Sequence, residues 1–259
     1  MKKLYLIVII GICQIAAYGQ KKYEMVVEKT DGTEIVTNVE DIVRTYFRER
    51  DNGNSDPEDN TPSEVTAVDL GLSVKWANMN LGASAPEDSG LYYAWGEVEG
   101  YNSDSHDFSW QTYKYCDWNA KSMLKYNDED YKTVLDASDD AASVNWGGNW
   151  RTPTTDEFKE LYEKCTVEWT QINGVNGSKI TSKGNGNSIF LPGVGFREGT
   201  EWRSGGTGSS GYYWTTSLSG GSFFATNLIV SGMYTAAAHF VDNHRFVGFS
   251  VRPVQKYNE

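Results

Sequence analysis

The chain has 259 residues, 39% hydrophobic and 22% charged, with 9 Trp, 16 Tyr, 10 Phe and 26 Gly. That aromatic content excludes a disordered chain, and Gly with Trp and Tyr at this density favours short strands and tight turns over a helical bundle. A formal charge of −12, without the basic stripe of a nucleic-acid binder, excludes nucleic acid as the expected partner.

Lys2 and Lys3 precede an apolar run from Leu4 to Ala17, and Ala17-Tyr18-Gly19 supplies the small residues of a cleavage site. Residues 1–19 therefore read as a signal peptide, and the mature protein as exported to the periplasm, the cell surface or the medium. The run is too short to span a bilayer, and no later segment approaches 18 apolar residues, so no membrane span is expected. Residues 20–48 read as a small β-hairpin module. Tyr23, Met25 and Val27 alternate with polar residues, Asp31-Gly32 suits a two-residue turn, Thr33–Thr37 returns, and Val39–Val43 packs back. Residues 49–64 are almost wholly polar, with Pro57 and Pro62, and form a solvated linker.

From Val65 to residue 255 the chain reads as one domain. Thr154-Thr155-Asp156-Glu157 predicts a capping box, and Phe158, Leu161, Tyr162 and Cys165 give the following helix one apolar face. A second, shorter helix is expected from Ser138, with Asp139 and Asp140 in its first turn. After Val167 the pattern is strands and turns, with alternation in 187–191 and again in 248–254. The expected fold class is α+β. Cys116 and Cys165 are the cysteines left after export, and the sequence leaves open one disulfide or two buried free thiols.

Six ordered segments carry a resemblance: VDLGLSVKWA at 68–77, YYAWGE at 92–97, NWGGNWRTPT at 145–154, NGNSIFLPG at 185–193, YYWTTS at 212–217 and GFSVRPV at 248–254. Together they are similar to the Fibrobacter succinogenes major paralogous domain, over Val65 to Val254. The resemblance implies a C-type-lectin-like fold of the formylglycine-generating-enzyme kind, with two helices against small twisted antiparallel sheets and long loops. The segment MVVEKTDGTEIVTNVEDIV also resembles the module fused ahead of such domains. Trp76, Trp95, Trp146, Trp150 and Trp214 are the expected packing anchors, and Arg151 and Arg252 are expected to pin loops to carboxylates or carbonyls.

A formylglycine generator works through cysteines late in its domain, and no cysteine follows Cys165. His239 and His244 are five apart and would face opposite sides of a strand. No G-x-S-x-G elbow is present. Asp69, Glu97, Asp136, Asp139 and Asp140 could pair as carboxylates but read as surface acids, with one structural calcium on Asp136, Asp139 and Asp140 as the alternative. No cofactor is otherwise expected, and the chain reads as non-catalytic.

Residues 222–247 contain no Lys, Glu, Gln or Trp. Apart from Met233, every residue there can be encoded by a codon ending in a pyrimidine, the outcome of substituting the adenines of AAC or AAT codons. The segment thus resembles the C-terminal variable region of targets of diversity-generating retroelements, between a fixed YYWTTS and a fixed GFSVRPV. An ordinary apolar strand pair is the plainer reading. The expected binding face comprises Phe223, Phe224, Thr226, Leu228, Met233, Tyr234, Ala236, Ala238, His239, Asp242, Asn243, His244 and Phe246. Its ligand would be a protein or glycan on a surface; a structural or adhesive surface component is the alternative.

Overall fold

The structure, a computed structural model, describes residues 24–28, 34–38, 62, 64–204 and 210–257. The expected signal peptide at 1–19, the Asp31-Gly32 turn, Val39–Val43 and most of the expected 49–64 linker lie outside the described residues. The chain divides into two compact units, Met1–Ser55 and Asp56–Glu259. In the first, β1 (Glu24–Glu28) pairs antiparallel with β2 (Glu34–Asn38), and Glu28 lies opposite Glu34. A two-residue turn at Asp31-Gly32 would place Glu28 opposite Ile35. The observed register is therefore one residue away from that expectation, which exchanges the two faces of one strand relative to the other.

The second unit begins with β3 (Ala67–Val68), β4 (Lys75–Ala77), β5 (Cys116–Asp117) and β6 (Ser122–Met123). A 3-10 turn at Ala137–Asp139 leads into α1 (Ala141–Trp146), β7 (Trp150–Arg151) and α2 (Thr155–Lys164). Strands follow to the end: β8 (Cys165–Ile172), β9 (Val175–Ser182), β10 (Ser188–Pro192), β11 (Phe196–Glu198) and β12 (Glu201–Arg203). The last are β13 (Gly211–Leu218), β14 (Phe224–Val230), β15 (His239–His244) and β16 (Val254–Gln255). Among the described residues 37% are strand and 10% helix, with two α-helices and five small antiparallel sheets in the second unit, so the fold is mostly β. This corrects the expected α+β class. The physical reason is length: α1 has six residues and α2 ten, too little helix to form a layer of its own.

The capping box forms as the sequence requires. The Glu157 N–H donates to Thr154 Oγ1 at 3.2 Å, and the Thr154 N–H donates to Glu157 Oε2 at 2.8 Å. Arg151 reaches both Glu157 oxygens with its guanidinium fork. Phe158, Leu161 and Tyr162 then turn one face of α2 into the core. At α1 the expected start at Ser138 is corrected by three residues: Asp140 is the N-cap, accepting from Ala142 N at 2.9 Å and Ser143 N at 3.2 Å, and the helix starts at Ala141.

One sheet, ordered β3–β4–β16–β7, closes the domain by pairing Val254 with both Trp76 and Arg151. Two cores flank the β13–β14–β15 sheet. Trp214 points into the first, with Trp95, Tyr126, Trp146, Trp150 and Phe249; Tyr213, one residue back, points into the second, with Trp76, Phe158, Leu191 and Leu228. All five anticipated tryptophans are at most 5% exposed, and the indole N–H groups of Trp95 and Trp214 donate to Thr215 O and Tyr93 O. The 248–254 stretch makes single bridges, Tyr93 to Phe249 and Tyr213 to Ser250, in place of the expected continuous strand. Cys116 lies against the first core and Cys165 within the second, and both are free. Among the described residues no helix is long and apolar enough to cross a membrane.

The Arg151–Glu157 contact predicts an acid-dependent stability. Burial pushes the Glu157 carboxyl up, but the Arg151 fork and the Thr154 donors outweigh it and hold the group below its ordinary value. A carboxyl lowered in the folded state stabilises fully above its unfolded pKa and loses that contribution as pH falls through the folded one. Urea unfolding of Glu157→Gln between about pH 6 and pH 2 should therefore show a flatter stability profile than the parent; parallel profiles would refute the coupling.

Candidate ligand-binding surface

The candidate face is built on the β13–β14–β15 sheet, where β14 is paired on both sides. Side chains alternate along β14, and burial divides them. On one face Phe224 lies opposite His244 and Thr226 opposite Asp242. The Phe224 and His244 rings stack at 4.6 Å, and the Thr226 hydroxyl donates to Asp242 Oδ1 at 3.0 Å. Further along that face Leu228 sinks into the second core, fully buried. On the other face Ala225 and Asn227 are fully buried, and Asn243 Nδ2 donates to Asn227 Oδ1 at 2.7 Å.

Trp110, from the long 98–135 insertion, joins this end of the sheet. Its ring lies 5.5 Å from Phe223, 5.4 Å from His244 and 4.7 Å from Phe246, all edge-on. Phe246 is only 9% exposed and supports the cluster from below, whereas Phe224 and His244 reach solvent. Between β14 and β15, Met233 is 68% exposed, Ala236 is exposed, and Tyr234 stacks on His239 at 3.9 Å. Ala238 packs against the second core. His239 and His244 thus sit in different aromatic contacts. Of the thirteen expected residues, Leu228 and Phe246 are the two placed inside, and the remainder are exposed or half-buried.

Arg245 lies beneath the cluster with no exposed surface. Its Nε donates to Tyr113 Oη at 2.9 Å, and its terminal nitrogens donate to the carbonyls of Lys125, Tyr126 and Ser222. The guanidinium also sits over the rings of Trp95, Tyr113 and Tyr126, at 5.0–5.6 Å. One side chain therefore ties the insertion, the start of β14 and the first core together. Sequence reasoning assigned roles to neither Arg245 nor Trp110 in this face. A lone arginine followed by Phe246-Val247 was the available signal.

Of the five acidic residues, Asp136 and Asp139 meet at one ammonium, and the others are committed elsewhere. Asp69 accepts from Gly71 N and Tyr257 Oη, and Glu97 accepts from Lys114 N at 2.7 Å. The Lys125 ammonium pairs with Asp136, at 2.7 Å, and with Asp139. Asp140 is committed to the α1 N-terminus and to Thr152. Among the described residues, no group of three His, Cys, Asp or Glu is arranged to hold a metal. Beneath Trp95 and Trp214 a void of about 10 Å³ has room for no more than a single water. Comparison with known proteins finds no matching family model, no matching curated relative and no matching solved structure.

Arg245→Lys should destabilise the domain by about 2–4 kcal/mol, because an ammonium cannot reproduce the guanidinium fork and leaves buried carbonyls unpaired. Denaturant unfolding measures this. A loss below about 1 kcal/mol would mean that the aromatic packing alone holds the insertion in place.

Proposed function

We propose that this chain is an exported, non-catalytic binding protein that recognises another protein through the exposed end of the β14–β15 sheet. The observation that supports the reading is the aromatic array of Trp110, Phe223, Phe224, His244 and Phe246, partly solvent-facing on a rigid base. Aromatic anchors beside a flexible Met and ringed by small polar groups have the composition of an interface hot spot. Phe224, Met233 and His244 supply the exposed apolar contacts, and Thr226 and Asp242 the polar rim. Leu228, Phe246 and Arg245 hold that face in place from beneath.

The test uses the mature chain, residues 20–259, screened against an array of extracellular proteins and glycans. A protein hit should be lost in the triple variant Phe224→Ser, Met233→Ser, His244→Ser. That variant should melt within about 3 °C of the parent, because exposed positions each shift stability by roughly 0.5 kcal/mol or less. Leu228→Ser should instead cost about 2–5 kcal/mol, as a polar group placed in a core. A folded triple variant that binds with unchanged affinity rules out this face.

Diversification of 222–247 is part of the same proposal and makes a separate prediction about DNA. A near-copy of these codons beside a reverse-transcriptase gene should differ at adenines in the codons of exposed or half-buried positions such as 224, 226, 236, 242 and 244. The codons of Ala225, Leu228, Val230 and Arg245, all fully buried, should be spared, and so should codon 233, because Met has no pyrimidine-ending codon and is left out of the differing set. Adenine differences spread evenly over buried and exposed codons would contradict it.

A further inference from the structure

We propose that a second binding site lies in the cleft beside Trp202, and that it takes a carbohydrate: the ring of a β-linked hexopyranose with equatorial hydroxyls. The cleft has a volume of about 450 Å³, within the range of small-ligand sites, roughly 300–1,000 Å³. It is formed by the loop at 87–89, Tyr92, Asn102, Gly174 of the β8–β9 turn with Val175 and Asn176 at the start of β9, Gly193–Val194 and Trp202 of β12. None of these belongs to the aromatic face, so the inference stands whatever that face binds.

Trp202 carries the argument. It is 51% exposed, on a three-residue strand that buries none of its residues. An indole half in water on such a strand adds little apolar burial to the core. Yet it is held in one orientation: its Nε1 donates to Val194 O at 2.8 Å and to Tyr92 Oη at 3.2 Å. Gly195, at φ +69°, lies against it so closely that a Cβ there would come within 3.0 Å of the six-membered ring. Backbone thus supports one side of the ring, and its exposed remainder lines the cleft. A fixed aromatic plate suits the C–H face that an equatorially substituted pyranose presents.

The rest of the lining supplies groups for hydroxyls. Glu87 and Asp88 bring carboxylates, which accept from Asn173 Nδ2 at 2.5 Å and Ser84 N at 3.2 Å respectively. A carboxylate with two oxygens has acceptor capacity beyond one such bond. Ser89, Asn102 and Asn176 add a hydroxyl and two carboxamides; Asn102 Nδ2 donates to Ser89 Oγ at 3.3 Å and Ser89 Oγ to Gly90 O at 3.1 Å, and each carboxamide has two N–H donors and two oxygen lone pairs, more than one bond uses. Arg197, 7% exposed, holds Asn102 from behind through its Oδ1 at 3.4 Å. Amides, a hydroxyl and acids around one pinned indole match a polyhydroxylated ring better than a cationic peptide, which would need less amide and more acid.

Calorimetric titration of the full chain with cellobiose tests this. The expected result is saturable binding with Kd of about 1 mM, typical of a shallow site with one stacking contact. Trp202→Ala should weaken it by about tenfold or more, and Trp202→Phe by only about threefold, since a smaller ring keeps part of the plate. Because Trp202→Ala could disturb the β11–β12 hairpin, Glu87→Gln with Asp88→Asn serves as a second variant. It should weaken binding by roughly threefold to tenfold with an unchanged melting temperature. No heat of binding, binding indifferent to both variants, or binding of a Lys/Arg-rich peptide in place of cellobiose would each overturn the proposal.

Discussion

Two guanidinium groups without exposed surface hold together a domain that has little regular structure to do so. Arg252 donates to Asn80 Oδ1, Ala77 O and Phe190 O, at 2.8–3.0 Å, and Arg245 to Tyr113 and three carbonyls. Burying a charge costs several kcal/mol, even after relaxation. Here the compensation comes from fixed carbonyl dipoles and aromatic faces in place of a carboxylate partner. Burial pulls Arg252 down to about 10, still charged at neutral pH. The five-donor fork is what makes this workable, because each arginine can address several chain segments at once. Strands of two or three residues offer few ladder hydrogen bonds, so these forks supply much of the long-range connectivity.

That arrangement explains what could be read from the sequence. The Thr154–Glu157 capping box is entirely local, and it forms as written. The five tryptophans are inside with their apolar neighbours, such as Leu70, Tyr93 and Tyr213, because these segments supply the bulk of both cores. The fold class was misjudged because much of the β structure has no period to detect. Strand pairs such as Ala67–Val68 with Trp76–Ala77, or the single bridge from Tyr93 to Phe249, are too short for alternation to register. In the first unit a one-residue difference separates the register from the one a two-residue turn implies, and turn identity alone does not fix it.

The candidate face shows the same division. Composition identified residues 222–247 as unusual, but composition carries no depth. β14 alternates between faces, yet both faces meet packed side chains over part of their length, so Leu228 is buried on the same side that exposes Phe224. Trp110 is remote in sequence, and its segment is tied to this end of the sheet by Arg245 and by its own ring contacts. A surface of free side chains and a scaffold of obligatory ones are interleaved residue by residue, and only the pairing register separates them.

The closing sheet has a different consequence. Because β4 lies between β3 and β16, the strands where the chain enters and leaves this domain sit in one sheet, a single strand apart. Such a module behaves as a loop held shut at its neck: it can be spliced between two residues of a host chain, or extended at either side, without separating the host's ends. The aromatic face draws on other sheets, so lengthening or transplanting the module at its neck leaves the geometry of that face intact.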